Sequence, residues 1–251
     1  IMTILFVSCF CILYKNQKGT NSIMRKRVLV AQSGGPTVAI NASLAGVIAG
    51  VVRSGEYERI IGAANGILGV LNERFTDLSI FENDVKAGND SISDIVTSGN
   101  DDVQKAWCPK SQLDRLAVTP SMYLGSCRFK LPFYEEDSQL YEKIFAILDK
   151  NDIGMFFYIG GNDSMDTVNK LSAYAKSISS DIRFAGIPKS IDNDLPHTDH
   201  TPGYGSAAKY IAASIAEMAH DVKIYDIPCV TIIELMGRNA GWLTGAAALA
   251  R

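Results

Sequence analysis

The sequence predicts an α/β protein: a doubly wound parallel sheet in a Rossmann-like three-layer arrangement, with a second subdomain that is incomplete. Two observations predict it. Short apolar runs rich in β-branched residues alternate with amphipathic helical patterns, and glycine- or charge-rich groups follow directly on the apolar runs. The runs at 27–32 (RVLVAQ), 59–64 (RIIGAA), 153–159 (IGMFFYI), 182–187 (IRFAGI) and 228–235 (PCVTIIEL) have the length and composition of buried strands. Helical patterns lie at 39–53, at 138–149 with Leu140, Ile144 and Leu148 spaced by four, at 164–177, and at 205–220 with Ile211, Ile215 and Met218. Such alternation implies parallel strands joined by crossover helices on both faces of the sheet. The more polar stretch 72–120 is expected to carry loops and shorter helices.

Composition bounds the function classes. A chain of 251 residues, 47% hydrophobic with a net charge of −3, can bury a sizeable core. Its 24 basic and 27 acidic residues include no basic block, which removes the electrostatic basis for nucleic-acid binding, so an anionic small molecule would have to be met locally. Five cysteines with no C-x-x-C pair argue against a disulfide framework or structural zinc site and suit a reducing cytoplasm. The apolar run 2–14 is too short to span a bilayer and lacks the flanks of a signal peptide, so no membrane association is expected. Met24 stands directly before Arg25-Lys26-Arg27; residues 1–23 therefore read as an unassigned leader or upstream-translated segment, and 24–251 as the catalytic region. Residues 241–251 suit a helix without a capping glycine, and the chain is expected to break off within that element.

The placement of glycines and charges carries the functional reading. Ser33-Gly34-Gly35-Pro36-Thr37 follows the first predicted strand, Gly160-Gly161-Asn162-Asp163-Ser164 the third, Pro188-Lys189-Ser190-Ile191-Asp192-Asn193-Asp194 the fourth, and Met236-Gly237-Arg238 the fifth. Ligands of open α/β sheets bind along the carboxyl edge of the strands, so the four groups are expected to converge on one site. A Gly-Gly turn between strand and helix lets the backbone approach a ligand and aims helix N-terminal N–H groups at an anion, of which phosphate is the natural example.

Asp192 and Asp194, two residues apart in a segment read as extended, are expected to point the same way, with Asp163 and Asp166 as a second acidic group. Mutual repulsion of such carboxylates favours a cation between them or a raised pKa on one. Phosphoryl transfer needs a metal, cations to spread charge, and a base for the acceptor hydroxyl. The residues supply candidates for each: Asp192 as base, Asp194 as a direct or water-mediated Mg²⁺ ligand, Lys189, Arg128 and Arg238 as cations, and Ser164 and Ser190 as hydroxyl donors. His197, His200 and His220 lie in a turn-like stretch and at a helix end and are not read as zinc ligands.

Taken together, the motifs resemble those of the phosphofructokinase family over roughly residues 25–251. SGGPTVAINAS at 33–43 is similar to its first glycine loop, and LGSCRF at 124–129 to the segment whose arginine, here Arg128, contacts the transferring phosphate. GGNDS at 160–164 resembles the family's GGDGS or GGDDS, PKSIDND at 188–194 its TIDND catalytic loop, and MGRNAGW at 236–242 its MGR sugar-phosphate element. The resemblance implies that Asp192 deprotonates the 1-hydroxyl of fructose 6-phosphate, and that Ser190, Met236, Gly237 and Arg238 contact the sugar phosphate. It also implies donor contacts from Gly34, Gly35, Gly161, Asp163, Ser164 and Lys189, a Mg²⁺ held by Asn162 and Asp194, and a homo-oligomer with sites that span subunits.

Donor choice rests on two positions. ATP-using members have glycine where this chain has Asp163, which would repel and displace the nucleotide's α-phosphate; they also have glycine in place of Lys189, which can neutralise pyrophosphate and the leaving phosphate. TDHTPGYGSAAKYI at 198–211 is likewise similar to the pyrophosphate-using branch. The expected reaction is therefore pyrophosphate plus fructose 6-phosphate to fructose 1,6-bisphosphate. Three departures stand beside it. Asn162 replaces a metal-coordinating aspartate, Pro228-Cys229 stands where many members place an arginine, and the remaining sugar-phosphate residues are expected after the MGR element. The alternatives are an ATP-dependent phosphofructokinase and a non-catalytic binding subunit. A dinucleotide-binding dehydrogenase lacks the G-x-G-x-x-G it would need.

Overall fold

The computed structural model describes residues 27–89 and 109–249, which fall into two compact units, one ending at Pro188 and one beginning at Lys189. The expectations for residues 1–23, and for the centre of the polar stretch, lie outside the described residues.

The first unit holds β1 (Arg27–Gln32), α1 (Val38–Ser54), β2 (Arg59–Ala63), α2 (Gly66–Leu71), β3 (Phe75–Asp77), α3 (Glu82–Lys86), α4 (Gln112–Val118), α5 (Ser138–Lys150), β4 (Ile153–Gly160), α6 (Asn162–Ser177) and β5 (Arg183–Pro188). The strand order is β3-β2-β1-β4-β5. β1 pairs in parallel with β2 and β4, and β4 with β5, with Val28 opposite Ile60 on one side and Met155 on the other. The short edge strand β3 runs antiparallel to β2. The sequence did not announce it, since FTD is only three residues long and alternates too little to show a period, with Thr76 and Asp77 exposed.

Strand alternation sorts β1 into two cores. Val28 and Val30 join Ile40, Leu44 and Ile48 of α1 and Leu113 and Leu116 of α4. Leu29 and Ala31 face the other way, with Ile67 of α2, Tyr141, Ile144 and Leu148 of α5, and Leu171 and Tyr174 of α6. Helices thus cover both faces of a mostly parallel sheet, the expected three-layer arrangement. The carboxyl ends of β1 and β4 open onto the two glycine turns.

The second unit holds α7 (Tyr204–Lys223) and α8 (Trp242–Ala248), with the 189–203 segment before them. The strand expected at 228–235 does not form: the stretch is irregular, and Val230 and Ile232 are 87% and 92% exposed. A strand needs a neighbour to accept and donate its backbone hydrogen bonds, and among the described residues none pairs with 228–235. β propensity without a partner leaves the segment unpaired. Met236-Gly237-Arg238 therefore follows an irregular run, and only three of the four motif groups sit at strand ends.

Candidate functional site

In the first unit the two glycine turns meet. Gly34 has φ +86°, in the left-handed region, and a Cβ placed there would come 3.3 Å from the Gly161 backbone nitrogen. Only glycine combines that conformation with that approach. At Gly160 an added Cβ would lie 2.5 Å from the Ser33 carbonyl oxygen and collide with Ser164 Oγ, whereas at Gly161 it would meet nothing within 4 Å. Gly160 is thus required by packing, and the space beside Gly161 is open. Ser33 Oγ and Ser164 Oγ lie 2.6 Å apart and bind the turns together.

Gly161 is the N-cap of α6, with no side-chain cap, so the helix presents its first turn uncapped on the glycine side. Asn162 and Asp163 are the first two helical residues and both are exposed. Ser164, expected as a hydroxyl donor, is 2% exposed and already engaged with Ser33. Asp166 does not join Asp163 as an acidic pair, because its carboxylate accepts from Lys170 Nζ at 2.6 Å.

The segment carrying Arg128 is fastened to the first turn by buried polar side chains that the motifs did not single out. Gln32, fully buried at the end of β1, accepts the Leu124 N–H through Oε1 at 2.9 Å and donates to Asn41 Oδ1 at 3.2 Å. Asn41 accepts the Tyr123 N–H at 2.8 Å and donates to the Thr119 carbonyl at 3.0 Å. Asn65, held at φ 63°, donates to the Ser126 carbonyl, and Ser126 Oγ donates to the Gly34 carbonyl at 2.7 Å. Arg128 itself is exposed. Beneath this loop the Tyr158 hydroxyl accepts the Ile67 N–H at 3.1 Å; burial pushes the phenol well above its ordinary value, so it stays protonated. A polar residue inside an otherwise apolar pattern, such as Gln32 closing RVLVAQ, was the available signal.

In the second unit the 189–203 segment is held by its own side chains. Ser190 Oγ donates to Asp194 Oδ1 at 2.6 Å and accepts the Asp192 N–H at 3.2 Å. Asn193 adopts φ 57°, donates to the Asp199 carbonyl and accepts the Thr201 N–H at 2.8 Å; Thr201 Oγ1 donates to the Ser190 carbonyl at 2.6 Å. The left-handed Asn193 breaks the extended alternation on which a shared orientation of Asp192 and Asp194 rested. Lys189 is half-buried, and desolvation holds its ammonium below the usual lysine range, with the Asp192 carboxylate opposing that shift. Gly237 and Arg238 both have positive φ, 141° and 48°, and the Arg238 and Met236 side chains are exposed.

Among the described residues no group of three or more His, Cys, Asp or Glu side chains could hold a metal ion. Asn162 and Asp194 nevertheless offer hard oxygen donors. Mg²⁺ usually takes one or two carboxylates or amides and leaves its other positions to water and substrate phosphates. The donors therefore fit that ion in kind. Cys127 and Cys229 are free thiols, and no described helix is long and apolar enough to cross a membrane.

Comparison with known proteins shows the family of the chain. The family model for phosphofructokinase matches residues 27–251. A pyrophosphate–fructose 6-phosphate 1-phosphotransferase of Xanthomonas campestris is 43% identical over 89% of this chain and 47% of its own length, and one of Methylococcus capsulatus is 37% identical over 90% and 48%. An ATP-dependent 6-phosphofructokinase of Aliivibrio salmonicida is 29% identical over 90% of this chain. The crystal structure of a pyrophosphate-dependent phosphofructokinase from Marinobacter aquaeolei superposes with a TM-score of 0.69 at 37% identity, covering 90% of this chain and 50% of that one. The chain spans about half the length of the pyrophosphate-dependent relatives it matches.

Proposed function

We propose, from the premise that this chain belongs to the phosphofructokinase family, that it handles the donor side of a pyrophosphate-dependent phosphotransferase that makes fructose 1,6-bisphosphate. The observation that carries the donor reading is the pair of abutting glycine turns with Asp163 exposed in the first turn of α6. Backbone N–H groups there suit a compact phosphate, while the carboxylate repels and crowds the α-phosphate of a nucleotide. Relatives at 37–43% identity carry the pyrophosphate-dependent name, and an ATP-dependent one is more distant at 29%.

The role assigned to each residue follows from its type and from its place in motifs that resemble those of the family. Asp192 accepts the proton of the sugar 1-hydroxyl as that oxygen bonds to the transferred phosphorus. The bridging P–O bond of pyrophosphate breaks, and the leaving phosphate carries away the electron pair. Lys189 and Arg128 neutralise charge on the donor and the leaving phosphate, and a lysine whose ammonium is disfavoured by desolvation gains most from an arriving anion. Ser190, Met236, Gly237 and Arg238 are assigned to the sugar phosphate. Mg²⁺, held by Asn162 and Asp194, would screen charge on the donor phosphates when bound. A cytoplasmic homo-oligomer is the proposed setting.

The test is a Mg²⁺-supplemented assay of the complete protein with fructose 6-phosphate and either donor. Turnover with pyrophosphate at least about a hundredfold above that with ATP is expected, the size of a like-charge exclusion of about 3 kcal/mol. ATP turnover equal to or above that with pyrophosphate would sink the donor assignment. Unchanged discrimination in the Asp163→Gly, Lys189→Gly double variant would remove these two residues as the gate.

A further inference from the structure

A buried cation in the first unit has no part in the reading above. Lys170 lies two turns into α6 and is 5% exposed, yet it is an ammonium. Nζ donates to the Leu131 carbonyl at 2.8 Å and to Asp166 Oδ2 at 2.6 Å, and stands 4.3 Å from the centroid of the Phe133 ring. These three partners account for its three protons, two by hydrogen bonds and one towards the π face. Burying an ammonium is costly unless its protons are matched, so the arrangement favours a fixed position for the Leu131 carbonyl, while the Phe133 ring, 55% exposed, adds a contact from the solvent side.

That backbone belongs to the Arg128 segment. Residues 126–133 form neither helix nor strand, so no ladder holds them. Upstream of Arg128, Asn65 and Ser126 fasten the chain to the first glycine turn. Downstream, the Leu131 side chain is fully buried and Phe129 packs on the same core, and the hydrogen-bonding anchors are Lys170 on the Leu131 carbonyl and the Tyr141 hydroxyl on the Pro132 carbonyl at 2.6 Å. Arg128 therefore hangs, exposed, between two anchored points. The helix that supplies the downstream anchor is also the one whose first turn presents Asn162 and Asp163.

We propose that Lys170 is a positioning residue for Arg128, locking the arginine-bearing segment to α6 and so fixing the guanidinium relative to the donor-binding turn. The inference rests on the reading of Arg128 as a donor-contacting cation. Lys170 does not touch the donor, because its protons are spent inside the protein.

The experiment is a double-variant cycle in the complete protein, assayed with pyrophosphate and fructose 6-phosphate. Lys170→Met keeps the stem and removes the donors. It is expected to lower kcat about tenfold or more, as misplacement of a charge-stabilising group does, while KM for fructose 6-phosphate stays within about twofold. In an Arg128→Ala background the same substitution should change kcat by less than about twofold, because the group it positions is gone. An equal loss in both backgrounds, or no loss in a folded Lys170→Met, overturns the proposal. Should Lys170→Met fail to fold, Tyr141→Phe removes the neighbouring anchor with little change of shape, and the same cycle applies: a loss that persists undiminished without Arg128 refutes the clamp.

Failure of the donor reading has a different signature, in which the unsubstituted protein turns over no pyrophosphate or Arg128→Ala matches it. The clamp is then read by hydrogen exchange. Peptides covering 126–133 should exchange at least about tenfold faster in Lys170→Met with β4 unchanged, and equal protection refutes it.

Discussion

The two units solve the same problem, holding a functional loop still, by different means. In the first, the glycine turns and the Arg128 segment rest on a finished sheet, and the side chains that fasten them, Gln32, Asn41 and Lys170, are at most 5% exposed. In the second, the 189–203 loop is stapled internally through Ser190, Asn193 and Thr201, but the elements that follow have little to rest on: no residue of α7 is buried, although the helix carries Ile211, Ile215 and Met218. Both relays are shielded from competing water, Ser190, Asn193 and Thr201 being 9%, 8% and 3% exposed, but only the first ties together segments distant in sequence, while the second closes within the loop. Loop order in the first unit is thus a property of the core, and in the second a property of local hydrogen bonds.

The sharpest way to probe the second unit is its assigned base. Asp192→Asn should reduce turnover by about 10²–10⁴-fold with little change in melting temperature, the usual contribution of a general base; steady-state kinetics paired with thermal denaturation would show it, and retained activity would strip Asp192 of that role. Next comes core against surface. Leu44→Ala, in the fully buried first face, should cost about 2–5 kcal/mol, whereas Ile232→Ala, 92% exposed, should stay within about 0.5 kcal/mol in urea unfolding of this chain. Equal costs would break the contrast between the units.

The relays themselves come third. Asn41→Ala strands the Tyr123 N–H and the Thr119 carbonyl and should destabilise by about 1–3 kcal/mol. Asn193→Gly keeps the left-handed backbone but strands the buried Thr201 N–H and loses the bond to the Asp199 carbonyl, so it should likewise destabilise by about 1–3 kcal/mol and lower kcat with it. The smallest effect concerns Lys189. Its folded-state pKa lies below the ordinary lysine value, so at pH values between the two the unfolded chain binds more protons, and stability rises with pH across that window up to about the unfolded value near 10.5. Lys189→Met should be more stable at neutral pH and lack that alkaline rise. A stability curve of unchanged slope would show that the desolvation is relieved in solution.

How much of this was legible beforehand can be judged residue by residue. β1, β2, β4 and β5, and the long helices, were readable because periodicity and β-branched runs are local properties that a parallel sheet amplifies. The same reasoning failed at 228–235, where composition spoke for a strand but pairing is a property of two segments. It also failed at β3, a triplet too short for a periodic signal, which pairs along the edge of β2 with Phe75 packed on the core. The glycine pairs could be named in advance, but not that Gly34 would abut Gly161, nor that Asp166 would be taken by Lys170 and Ser190 by Asp194.

What the sequence by itself determined is the chemistry on offer: glycine turns suited to phosphate, a carboxylate assigned as base, cations, and the Asp163 and Lys189 pair from which a small donor is proposed. The glycine turns follow from residue type and position after a strand, the remainder from residue type together with the family resemblance. What only the tertiary structure decided is which of those groups are free to act and which are spent holding others. Hydrogen-bond capacity is finite, and its allocation between distant segments depends on distances that no local pattern encodes. Ser33 and Ser164, 131 residues apart, share one hydrogen bond at 2.6 Å, and Lys170 gives its protons to the segment that follows Arg128.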